Sequence, residues 1–179
     1  MKLNYGEFDD LKNDTIKFAK NLLVKDKGHI PIVLAITKQG TIPLDISAML
    51  DSASAVDDVN DTTAYHHAKD LIAKAVAQFI QTNNSYAYMY ISECWYVKRK
   101  DGNYADIETR HMEDKEEALT ISWEYDAYNI YKTGMTIIPF YRDEDGSILI
   151  LKEVDKEYDA SADSPKYSGR FTSLLRVSA

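Results

Sequence analysis

Glu93 and Cys94 stand side by side in the longest run of alternating residues in the chain, SYAYMYISECWYVKR at 85–99, and Cys94 is the single cysteine. A carboxylate on the apolar side of such a run must be paired, reach the sheet's end or carry a raised pKa, and a raised pKa suits general acid–base chemistry. The thiol is a nucleophile only beside a base that lowers its pKa, and the sequence identifies no such base. His66 and His67 open a helical segment, where adjacent side chains diverge by about 100° and do not share one metal ion. The spacing of two histidines four residues apart, as in HExxH, is absent. His111, with Glu108, Glu113 and Asp114, is a second cluster able to hold a divalent ion or move protons, in a stretch that also reads as a solvated charged connection. The enzymatic option is thus a small metal-dependent or acid–base hydrolase using Glu93 with His111 or His66. No glycine-rich phosphate loop, GxSxG or paired-cysteine zinc site occurs, and Asp143-Glu144-Asp145-Gly146 lacks the remaining ligands of a calcium loop. Neither a cofactor nor a metal site is expected.

The strand that would carry Glu93 has two different faces. Ala87, Met89, Ile91, Trp95 and Val97 point one way; Tyr86, Tyr88, Tyr90, Cys94 and Tyr96 point the other. Around it, Phe8, Leu11, Phe18, Ala19 and Leu22 recur at helical spacing, with Gly28 placed to end that helix in a left-handed cap. Two apolar strands follow, turning at Lys38-Gln39-Gly40, with Pro43 suited to an edge. A short helix over 45–50 and a second long helix over 63–81 come next. After the tyrosine strand and the acidic connection 100–117, alternation marks strands through Leu119–Tyr125, through Met135–Tyr141 and over 147–151. Residues 126–132 read as a turn and 143–146 as a hairpin turn. The expectation is an α+β fold: an antiparallel sheet of five to six strands, two main helices packed on one face, and an extended C-terminal tail. Residues 1–154 form the single domain; 155–179 are polar, apart from a short apolar patch at Phe171, Leu174 and Leu175.

Composition narrows the function classes. The chain has 179 residues, 29 acidic and 21 basic, for a net charge of −8, which argues against a nucleic-acid partner. No apolar run approaches membrane-spanning length and no signal-peptide pattern opens the chain, so neither a membrane partner nor export is expected; one cysteine fits a reducing compartment, the cytoplasm. Tyrosine is the anomaly: 13, against 5 Phe and 2 Trp. Its apolar body and polar tip suit contact surfaces. The favoured reading is a non-catalytic interaction or assembly module with a protein partner or a second copy. Its interface would be Tyr86, Tyr88, Tyr90 and Tyr96, together with Phe171, Leu174 and Leu175 of the tail. A third option is an acidic DNA mimic built from the acids at 101–117 and 143–163.

Over residues 6–152 the order of elements resembles profilin-like and Roadblock-type domains, which implies an antiparallel sheet with packed helices. PIVLAITKQGTIPL, YMYISECW and EALTISWE resemble an uncharacterised group of proteins from bacteria and their phages. That resemblance implies a source, in a host cytoplasm or a virion, and carries no activity onto any residue.

Overall fold

Asn4 starts the first helix by a reciprocal cap. The Glu7 amide donates to Asn4 Oδ1 at 3.0 Å and the Asn4 amide donates to Glu7 Oε2 at 2.7 Å, satisfying two N–H groups that a helix start leaves open. Helix α1 (Tyr5–Asp26) ends one residue earlier than the glycine indicates: Lys27 takes the left-handed conformation at φ 57°. The computed structural model describes residues 1–55, 63–96, 116–159, 171 and 174–175. It continues with β1 (Ile32–Thr37), β2 (Gly40–Asp45), α2 (Ser47–Ser54), α3 (Thr63–Thr82), β3 (Ala87–Tyr96), β4 (Glu116–Ala127), β5 (Ile130–Arg142), β6 (Ile148–Ile150) and β7 (Val154–Asp159).

The class is α+β with an antiparallel sheet, in the order β2-β1-β3-β4-β5-β6. Strand β2 lies on the edge, where Pro43 removes no ladder bond that the sheet interior needs. The turn expected over 126–132 shrinks to two residues. Tyr128 and Asn129 both adopt positive φ, 53° and 62°, so β4 and β5 run on to Ala127 and from Ile130. The turn at 143–146 forms as its residues require, with Gly146 at φ 79° donating its amide to the Asp143 carbonyl at 2.8 Å. The tail is a correction. Val154–Asp159 pair with Ile137–Lys132 as β7, so the sheet claims residues beyond 154.

The placement of the helices is a second correction. They cover both faces of the sheet, not one. On one side α1 buries Phe8, Ile16, Ala19 and Leu23 against Met89, Ile91, Leu119, Ile121, Trp123, Tyr125, Ile138 and Phe140. On the other, α3 buries Ile72, Val76, Ala77 and Ile80 with Val33, Tyr88 and Tyr90. Tyrosine suits this second face because its ring fills core space while its hydroxyl finds a partner. Among the described residues no helix is long and apolar enough to cross a membrane.

Candidate interaction site on the tyrosine face

Tyr88 and Tyr90 leave β3 towards α3, and both are buried rather than displayed. This overturns their reading as a free contact surface. Tyr86 is not on that face at all. It precedes the first residue of β3, escapes the strand's alternation and packs in the α1 core. There its hydroxyl accepts the Leu3 amide at 2.8 Å, while Tyr125 donates to the Leu3 carbonyl at 2.9 Å. Tyr86 therefore pins the N-terminal residues. Tyr96 ends β3, and its side chain lies outside what is described.

The residue that sequence reasoning missed is Glu124. It stands directly across from Tyr88 in the β3–β4 register and is fully buried. A carboxylate removed from water costs several kcal/mol unless hydrogen bonds replace its hydration. Part of that replacement comes from the far end of the chain: the Leu175 amide donates to Glu124 Oε2 at 3.0 Å. Beside it the Tyr88 hydroxyl donates to the Phe171 carbonyl at 3.1 Å. The Phe171 ring lies over Tyr90 with centroids 4.5 Å apart and planes 34° from parallel. Leu174 is buried in the same cluster as Tyr88, Tyr90 and the α3 side chains. The apolar patch at Phe171, Leu174 and Leu175 is thus brought onto the tyrosines, as a segment seated on the sheet. Each contact uses a different property: a stacked ring, an inserted leucine, one backbone carbonyl and one backbone amide.

Burial raises the pKa of Tyr88 well above its ordinary 10.0, and the Glu124 charge beside it pushes the same way. Burial likewise raises that of Tyr90. Further along β3 the seat turns polar: Thr120 Oγ1 donates to the Ser92 carbonyl at 3.1 Å. Burial also raises the Cys94 thiol above 9.0, against a Thr120 hydrogen bond that lowers it. A thiol held protonated is a poor nucleophile.

Glu93 occupies the α1 side of β3, opposite Leu119 in register. It is consumed by structure there. Its Oε2 pairs with Arg142 Nη2 at 3.0 Å and its Oε1 accepts the His29 amide. Arg142 also reaches Glu117 Oε2 at 3.5 Å and donates to the Lys27 carbonyl. His66 sits on α3, on the far side of the sheet, against the Tyr65 ring. The pairing of Glu93 with His66 is not formed. His111, Glu108, Glu113 and Asp114 lie outside the described residues, as do the acids at 101–114 invoked for DNA mimicry. Among the described residues no three His, Cys, Asp or Glu side chains gather as a metal site. No family model, curated protein or solved structure matches the chain.

Two measurements check these assignments. Glu93→Gln should lower unfolding free energy by about 1–2 kcal/mol, because it leaves Arg142 and the His29 amide with a weaker acceptor; urea titration reads this, and an unchanged midpoint would contradict it. Tyr88 and Tyr90 stay protonated in the fold to higher pH than in the unfolded chain. Their contribution is therefore intact below pH 10.0 and lost as pH rises beyond it. Absorbance of phenolate and circular dichroism, followed together, should show the last tyrosines ionising as the fold is lost. Complete ionisation with the fold intact would contradict their burial.

Proposed function

We propose that this chain is a non-catalytic interaction and assembly module whose working site is the tyrosine face, a seat for a short apolar segment. In the free chain the seat holds the chain's own Phe171, Leu174 and Leu175. In an assembly it takes the matching segment of a protein partner or of another copy. The observation that carries this reading is the Leu175 amide on the fully buried Glu124 carboxylate. A seat that binds a backbone amide, a backbone carbonyl and two apolar side chains recognises a segment, and does not require that the segment arrive on the same chain.

A bacterial or phage cytoplasm, or a virion, is the setting proposed from the resemblance of 31–44, 88–95 and 117–124. The hydrolase alternative is weaker, since Glu93 is held by Arg142 and the His29 amide.

A labelled peptide of residues 171–179 tests the reading. On the wild-type chain it competes with a tethered segment whose effective concentration is about millimolar, so it should bind weakly. Leu174→Asp drives the tethered segment off, and the vacated seat should bind the peptide at least about tenfold more tightly, a gain of 1.4 kcal/mol. Phe171→Ala, a milder change, should move binding the same way by less. Folded variants, by circular dichroism, that bind the peptide no better than wild type would refute the proposal.

A further inference from the structure

Helix α1 covers the β3–β4 part of its face and, among the described residues, leaves the β1 side open. An apolar groove of about 320 Å³ runs there, floored by Ile32, Leu34 and Ile91 and walled by Phe18 and Leu22 of the helix. Phe18 is 63% exposed at its lip, and Ile30 is 57% exposed at its end. Among the described residues no charged side chain crosses the floor, and an aromatic ring left in water beside an apolar groove is unusual for a surface that stays solvated.

The charge pattern of α1 says what fits. Its first half carries Glu7, Asp9, Asp10 and Asp14 against Lys12, and its second half carries Lys17, Lys20 and Lys25 against Asp26. Such a helix is complementary to an antiparallel copy of itself, and the two macrodipoles oppose favourably in that orientation. Asp14, Phe18 and Leu22 line the groove, and Lys25, three residues on, continues the same helical stripe beyond it. An antiparallel crossing centred near Ala19 and Lys20 sets Phe18 against the partner's Leu22 and Asp14 against the partner's Lys25. Two-fold symmetry repeats both contacts. The exposed pair Lys17–Asp14, 3.2 Å apart with both side chains largely in water, holds Asp14 only weakly in the single chain.

We propose that the chain forms an isologous dimer through α1, in which each Phe18 fills the groove of the other copy. This surface lies on the sheet face opposite the C-terminal seat, so the dimer and the segment-binding reading stand or fall separately.

Analytical ultracentrifugation of the full chain over the micromolar range tests it. The wild type should sediment as twice 20.4 kDa. Phe18→Asp should shift the dimer dissociation constant by at least about tenfold, with circular dichroism and melting little changed because the ring is exposed. Asp14→Lys and Lys25→Asp should each weaken the dimer severalfold. Mixed together they should associate again, because each heterodimer then pairs opposite charges at both positions. A wild-type monomer throughout, a dimer indifferent to Phe18→Asp, or a mixture that stays as weak as its components would overturn the proposal.

Discussion

A carboxylate with no exposed surface is the constraint on which this architecture turns. Glu124 lies in the middle of a sheet covered on both sides, and a charge so placed is tolerated only where protein dipoles stand in for water. The Leu175 amide supplies one such dipole. The consequence is topological: the C-terminal segment must return across the tyrosine face, since a hydrogen bond left unmade at that position costs far more than it gains when made. Tyr88 and Tyr90 complete the seat with a hydroxyl for the Phe171 carbonyl and a ring for its side chain. The segment is thus anchored through backbone groups as well as through its apolar side chains.

The opposite face obeys a different logic. There Phe8, Trp123 and Tyr125 pack ring against ring, with Phe8 centroids 5.7 and 5.2 Å from the other two. Lys12 lies 4.9 Å over the Trp123 ring and 2.6 Å from Asp9, so its buried stem adds to the apolar layer while its charge stays paired. The corner after α1 is fastened by Glu93, Arg142 and the backbone of Lys27 and His29, and Lys27 Nζ donates to the Asp145 carbonyl at 2.7 Å. These ties join the ends of α1, β3 and β5 and the β5–β6 turn. They hold the helix close over β3 and β4, which leaves β1 beside an open groove.

Much of this was legible in the residues. Leu119, Ile121, Trp123 and Tyr125 share the α1 face as their spacing demands, and the long helix over 63–81 and the turn at 143–146 stand where composition puts them. The sidedness of the helices was not legible, because alternation separates two faces without naming what covers each. The tyrosine face looked like a surface since Tyr is equally at home in a core once its hydroxyl has a partner, and the partner, the Phe171 carbonyl, is 83 residues away. Nothing in the alternation of β4 marks Glu124 for burial, since its Leu175 partner lies 51 residues along the chain. Tyr86 continues the alternation of the sequence yet lies one position before the strand, where the backbone no longer obeys it. Val154–Asp159 carry no apolar alternation, yet pair with β5 through backbone groups, to which side-chain patterns are blind.

Hydrogen exchange at the Leu175 amide, read residue by residue in the full-length chain by NMR, bears most directly on the central claim. If the segment is locked to Glu124, that amide exchanges far more slowly than in a free peptide, and Glu124→Ala abolishes the protection while the β3 amides keep theirs. An amide at Leu175 that exchanges at the free-peptide rate in the wild type would mean that the seat is empty, and the account of the tyrosine face would fail with it.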